Sequence, residues 1–430
     1  MASCTLGETT YLCSKMSVKD IYILQKNQLP GKLFRICLYC FMLCMSSALQ
    51  AKVSERDSVR FTLLTCSPGT QVYELFGHTA IRYQNFSKEI DWVYNYGVFD
   101  FDAPHFVWRF VLGETDYMLD VVSYGFFQWV YSSRGSEVYE QQLNLTDQEA
   151  FALFSALQQN AMPKERIYRY NYFFDNCTTR ARDRIEEALH GRITYTENSD
   201  SLTFREWIHR CTQGHPWTTF GIDLCLGSEA DIPIDFRQQM FLPVNLMKAF
   251  RSASLSSDSK INISPLVQSE SILIPGKTLP FDSPFPLSPM QSSLLILVLT
   301  LLLIAIEYRI KKVFWGWDLF LFALQGIAGC VISLLFFFSV HPTVGTNYLV
   351  ILLNPLPLIY LPFMIYHIKK GRKDLYDVAN IAVLTLFISF LWLIPQKIDL
   401  VIVPLALSLL LRSIMHLYIA HSKTLKFTKK

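Results

Sequence analysis

Charge is scarce in this sequence: Asp, Glu, Lys and Arg make up 17% of its 430 residues, against 51% hydrophobic. The formal net charge is only +3, too small a surplus for the basic field that draws nucleic acid. Cysteine is sparse too, and five of the ten (Cys4, Cys13, Cys37, Cys40 and Cys44) precede Ala51. Beyond Ala51 there is no C-x-x-C, which removes the usual zinc spacings and a disulfide framework. Cys66, Cys211 and Cys225 are expected to form disulfides if that region is exported to an oxidising compartment. No internal repeat is present, so a solenoid or array is excluded. What the chain does have is apolar sequence, concentrated after residue 289.

Lys32 and Arg35 precede an apolar run from Ile36 to Met45, followed by Ser46, Ser47 and Ala48. A charged region, a short apolar core and small residues read as an export signal cleaved at Ala48 or Ala51. An uncleaved anchor is the alternative, although the run is shorter than the ~20 residues of a spanning helix. The chain then divides into an N-terminal extension and signal over 1–51, an exported globular domain over 52–255, a Ser- and Pro-rich linker over 256–288, and a transmembrane domain over 289–430. That last part holds five apolar stretches, at approximately 291–308, 313–339, 347–367, 377–395 and 400–420. Each matches a hydrocarbon layer of ~30 Å. Arg309, Lys311 and Lys312 fill the first loop, Lys369, Lys370, Arg372 and Lys373 the third, and Lys423, Lys426, Lys429 and Lys430 the tail. Basic loops stay cytoplasmic, which leaves the 52–255 domain outside. Asn354-Pro355-Leu356-Pro357 interrupts the third stretch. Arg412 and His416 lie one turn apart in the fifth, as a functional pair or with Arg412 merely snorkelling to the inner face.

The exported part carries nucleophile chemistry. His78 to Tyr83 reads as a strand, and Ile90 to Val98 as its partner in a hairpin centred near Phe86. His78 then lies near Asn95, with Asp91 the alternative partner for orienting its imidazole. Thr146 and Glu149 stand at capping-box spacing and open a helix. The aromatic run Tyr168 to Phe174 turns into a helix capped by Asp175 or Asn176, with Cys177 at its start. There the macrodipole and end amides favour a thiolate and can hold an oxyanion. A helix-start Cys with a strand His is what thiol catalysis needs, although a lone Cys is often structural. His105, His190, His209 and His215 are competing bases, none on a comparable strand.

The blocks Leu64-Thr65-Cys66-Ser67-Pro68-Gly69, Phe76-Gly77-His78-Thr79-Ala80-Ile81-Arg82, Tyr94-Asn95-Tyr96-Gly97-Val98-Phe99-Asp100-Phe101 and Phe174-Asp175-Asn176-Cys177-Thr178-Thr179-Arg180 resemble the Lnb-type lipoprotein N-acyltransferase family. Their His-before-Cys order is also similar to permuted papain-like (NlpC/P60-like) folds. The resemblance implies an α+β permuted papain-like exported domain joined to an all-α bundle of about five transmembrane helices. It implies Cys177 as nucleophile and His78 as general base; Asn95 as third member rests on the hairpin. Asn176, Arg180, Arg82, Asp91, His341, Asn347 and Asn354 are expected to contact substrate. The implied reaction moves an acyl chain from a membrane phospholipid, through a Cys thioester, to the α-amine of diacylated lipoproteins. The alternatives are a tethered cysteine peptidase or amidase acting on cell-wall peptides, and a non-enzymatic scaffold. No cofactor, metal or nucleic acid is expected. The expected location is a bacterial inner membrane, with the catalytic domain periplasmic and the C-terminus cytoplasmic.

Overall fold

The computed structural model describes residues 58–196, 201–256, 263–277 and 285–428. The expected signal over 1–51 lies outside the described residues, as do parts of the expected linker (257–262 and 278–284) and Lys429 and Lys430 of the basic tail.

Alternating and β-branched runs form β1 (Val59–Cys66), β2 (His78–Asn85) and β3 (Ile90–Val98). They are followed by α1 (Phe106–Leu112), β4 (Asp116–Ser123), α2 (Tyr124–Arg134), β5 (Val138–Leu143), α3 (Asp147–Ala161), β6 (Ile167–Arg169) and α4 (Cys177–Ala188). Next come β7 (Arg192–Thr194), α5 (Phe204–Cys211), α6 (Pro216–Cys225), α7 (Phe236–Gln239) and α8 (Pro243–Ser252), then β8 (Ser254–Ser256), β9 (Ile263–Pro265) and β10 (Val267–Ile274). Seven strands form one sheet in the order β10-β5-β1-β2-β3-β4-β6, and β7, β8 and β9 form a small second one. The large sheet is covered on both faces. Ile81, Tyr83, Tyr94 and Tyr96 pack with Ala181 and Ile185 of α4 and with Leu153 of α3. Ala80, Val93 and Leu64, on the opposite face, pack with Phe127 and Tyr131 of α2. Strand alternation thus sends successive residues into two different cores.

The expected linker is corrected in part. Val267 to Ile274 pairs with β5 and closes one edge of the sheet, since an edge strand half in water needs few apolar residues. The expected disulfides are corrected as well: Cys66, Cys211 and Cys225 are free thiols. Cys66 is committed to the α2-side core, and burial pushes the Cys211 and Cys225 thiols up to about 11.

Beyond the sheet, α9 (Pro289–Ile310) starts at a capping box between Ser288 and Gln291, with Pro289 in its first turn. It is followed by α10 (Trp315–Phe338), α11 (Leu356–Lys370), α12 (Leu375–Ser389) and α13 (Ile402–Thr428). Among the described residues, four segments, Pro289–Ile310, Trp315–Phe338, Tyr348–Lys370 and Ile402–Ser422, are long and apolar enough to cross a membrane. The fourth expected span is the exception: α12 has 15 residues, which at 1.5 Å per residue is about 22 Å. Residues Tyr348–Ile351 form a 3₁₀ turn before Asn354 and Pro355, so the expected interruption of the third span is real. Asn354 supports the start of α11, its Oδ1 accepting from the Leu356 N–H at 3.1 Å.

Arg412 does not snorkel. Its Nε donates to Asp318 at 2.6 Å and its Nη1 to Glu307 at 2.6 Å, and all three side chains have zero solvent exposure. His416 stands 3.0 Å from both Asp318 and Asp377. This knot joins α9, α10, α12 and α13 at the end of the bundle remote from the sheet.

Candidate functional site

β2 begins at His78, on the face of the sheet that carries Ala80. Gly77 before it has φ +74°, and a Cβ there would lie 2.6 Å from the Cys66 carbonyl oxygen, so only glycine fits. Across the hairpin Ala80 stands opposite Asn95. His78, two residues from Ala80, reaches Asn95 diagonally: Nε2 donates to Oδ1 at 3.3 Å. The Asn95 amide is oriented by its own Nδ2, which donates to the Val93 carbonyl. Nε2 therefore carries a proton, which leaves Nδ1 as the ring nitrogen open to other partners. Asp91, the alternative partner, is turned to Arg82 instead, accepting from it at 2.6 Å.

Cys177 opens α4 because Asn176 caps it. Asn176 Oδ1 accepts from the Thr178 and Thr179 N–H groups, while its Nδ2 donates to the Tyr172 and Phe241 carbonyls. Two of the end amides expected to meet an oxyanion are thus occupied. The Cys177 N–H is the first-turn amide that the cap leaves. Beside it the β3–β4 pairing slips between Asn95 and Val98, and Gly97 sits in the slip with φ +85°. A Cβ on Gly97 would come within 3.4 Å of the Cys177 Cβ and 3.9 Å of its nitrogen. The bulge makes the clearance in which the start of α4, with the Cys177 Cβ, stands.

His78 and Cys177 lie close enough for each to perturb the titration of the other. Burial alone would push the Cys177 thiol up; the His78 charge and hydrogen bond, the Thr79 backbone and the Thr178 hydroxyl together bring it below the ordinary thiol value. Burial would push His78 down; the Cys177 thiolate, its hydrogen bond and Asn95 together hold it above the ordinary imidazole value. Each group thus stabilises the charged form of the other. Tyr131 stacks on the His78 ring at 6.4 Å and 13°. Sequence reasoning passed over Tyr131 and the Thr79 amide. A glycine interrupting the strand pattern at Gly97 was the available signal for the bulge.

The other expected contact residues have structural partners. Arg82 is buried between Asp91 and Glu140 and Asn176 is buried in its cap. Arg180 is held by Asp175 at 2.6 Å and lies over the Tyr168 ring. His341 Nε2 lies 2.6 Å from the Phe110 carbonyl. Asn347, also buried, donates to the Leu224 carbonyl at 2.7 Å. With Gln396 on Leu226, Tyr172 on Pro342 and Lys397 on Glu206 and Asp231, these residues fasten the sheet-bearing part to the near end of the bundle. Among the described residues no group of His, Cys, Asp and Glu could hold a metal ion.

Two family models match the chain: the Lnb N-terminal periplasmic domain over residues 48–210 and the Lnb transmembrane domain over residues 281–424. The chain belongs to the Lnb family. No curated protein and no solved structure matches it. Cys177, His78 and Asn95 all fall within the stretch matched by the Lnb periplasmic domain, and the Arg412 knot within that matched by the Lnb transmembrane domain. Lnb membership makes this a multi-pass membrane protein with a periplasmic domain, associates it with lipoprotein maturation, and points to an enzyme.

Proposed function

We propose that this Lnb protein is a lipoprotein N-acyltransferase working through a Cys177 thioester, and the observation that carries the reading is the electrostatic coupling of His78, held by Asn95, to Cys177 at a helix start. The Cys177 thiolate attacks the carbonyl carbon of a phospholipid ester; a C–S bond forms and the carbonyl electrons move to oxygen. The Cys177 N–H, beside the Gly97 clearance, is the donor for that oxyanion. The C–O bond then breaks, and the His78 imidazolium protonates the departing lyso-lipid oxygen. The α-amine of a diacylglyceryl-modified N-terminal cysteine attacks the thioester, neutral His78 accepts its proton, and the C–S bond breaks to give an amide and the free thiolate. An α-amine of pKa about 7.7–8.0 supplies neutral nucleophile near neutral pH. A strand His meeting a helix-start Cys also supports kinship with permuted papain-like enzymes.

The bacterial inner membrane is the setting that suits both substrates. α12 with its 3₁₀ extension Leu391–Leu393 leads from Asp377, beside His416 at the remote end, to Gln396 at the near end, which supports a fifth crossing. With the basic loops inside, the periplasmic domain lies outside and the C-terminus is cytoplasmic.

The test is intact-mass spectrometry of the full-length protein exposed to phospholipid vesicles, then to a diacylated lipopeptide. An acyl adduct on Cys177, then triacylated lipopeptide with lyso-phospholipid, is expected. Cleavage of cell-wall peptides with no lyso-lipid would overturn the transferase in favour of an amidase. Asn95→Ala is expected to lower kcat/KM roughly 10- to 100-fold, the worth of a hydrogen bond to a charged group. Because the Asn95 bond helps to raise His78, the alkaline limb of the pH profile should move to lower pH; an unmoved limb would remove Asn95 from the proton chemistry.

A further inference from the structure

α1 is an exposed apolar helix with one charge. Val107 is 74% exposed and Trp108 55%, and Phe110 also faces outward. Arg109, its one charged residue, is tied back to Asp116 at 2.6 Å. A contiguous apolar surface on an otherwise folded domain marks a partner or a membrane.

The position of α1 selects between them. The Val340 N–H donates to the Leu112 carbonyl at 2.9 Å, and His341 holds the Phe110 carbonyl. Gly113, which ends α1 with φ +74°, approaches so closely that a Cβ would lie 2.8 Å from the His341 nitrogen. α1 is thus fastened to the outer end of α10, whose last residues Phe337 and Phe338 are themselves exposed. α10 is long and apolar enough to span a bilayer, so its end marks where hydrocarbon gives way to headgroups. Trp and Tyr favour that depth.

Behind α1 the rings continue inward. Phe110 lies 6.2 Å from Phe106, Phe106 5.7 Å from Phe99, and Phe99 5.0 Å from Tyr117. Tyr117 stacks on Tyr170 at 4.0 Å. Tyr170 borders the Gly97 clearance, 3.8 Å from the Cβ a larger residue would carry. An unbroken aromatic run therefore leads from the exposed helix to the nucleophile.

We propose that α1 is an interfacial helix lying in the outer leaflet, and that the aromatic run behind it is the track by which a phospholipid acyl chain reaches Cys177. The track, though not the membrane placement, rests on the acyltransferase reading. An apolar surface helix at the interface binds through its buried apolar area, and the ring faces behind it offer an acyl chain apolar contact.

The placement is tested with the full-length protein in phosphatidylethanolamine–phosphatidylglycerol vesicles, carrying photo-reactive p-benzoylphenylalanine at Trp108, at Leu295 of α9, or at Phe86. Phe86 is equally exposed but sits at the opposite end of the β2–β3 hairpin. Lipid adducts are expected at the first two positions and not at Phe86; adducts at Leu295 with Trp108 no better than Phe86 would overturn the interfacial helix. The track is tested with Val107→Glu/Trp108→Glu. Acylation of Cys177 from vesicle phospholipid should fall roughly tenfold or more relative to acylation by a water-soluble short-chain ester. An unchanged ratio would overturn the track. A wild-type protein acylated by neither donor would instead bring down the transferase reading, with the crosslinks still judging the helix.

Discussion

Cys177→Ala is expected to abolish the acyl adduct and to lower turnover by about 10³-fold or more, the scale seen when a covalent nucleophile is removed. His78→Ala is expected to lower it about 10²- to 10⁴-fold, the range for loss of a positioned acid–base group. The pH profile carries the sharper test. Cys177 sits below the ordinary thiol value and His78 above the ordinary imidazole value. On the acid side the rate of adduct formation falls as the thiolate takes up its proton, below the range of a free thiol. On the alkaline side it falls as His78 loses the proton owed to the lyso-lipid, above the range of a free imidazole. The reactive ion pair occupies the window between. In Cys177→Ala the thiolate that raises His78 is gone while burial, which lowers it, persists. NMR titration of His78 should then give a lower pKa than in the wild type. An unchanged or higher value would refute the ion pair.

Arg412→Leu is expected to destabilise the bundle by about 3–5 kcal/mol, the penalty for removing one partner of a buried ion pair. The loss leaves Glu307 and Asp318 facing each other, buried and without their shared cation. Thermal unfolding in detergent measures it, and Glu307→Gln in the same background should recover part of the loss by removing one orphaned charge. Arg412→Lys should restore less than the wild-type stability, because an ammonium cannot fork toward two carboxylates as a guanidinium does. Equal stability of Arg412→Leu and wild type would show that the knot contributes nothing to packing.

The site was more legible in the sequence than its support. Cys177 could be placed because helix starts announce themselves through short polar caps, and Asn176 is such a cap. His78 and Asn95 could be brought together because alternation sets a hairpin's faces; Ala80 stands directly across from Asn95, and His78 reaches it from two residues away on the same face. β10 escaped notice because Gln268, Ser269, Glu270 and Ser271 look like linker, and the strand draws its order from backbone pairing with β5. The structural partners of His341 and Asn347 were illegible for a similar reason. Their partners are the carbonyls of Phe110 and Leu224, and a carbonyl has no letter in the sequence. Arg412 could be seen as a charge within apolar sequence, but its partners Glu307 and Asp318 stand near the ends of two other helices, about a hundred residues away in the chain.

The fastening of the sheet to the bundle through Asn347, Gln396, Lys397 and His341 bears on which molecules can react. A head held at that many places has no swing, so the sulfur keeps a constant altitude above the lipid. Selection then works as a height gauge. If Cys177 carries an acyl group as proposed, an amine must arrive already anchored at that level to meet it, and the same amine on a freely diffusing peptide passes overhead.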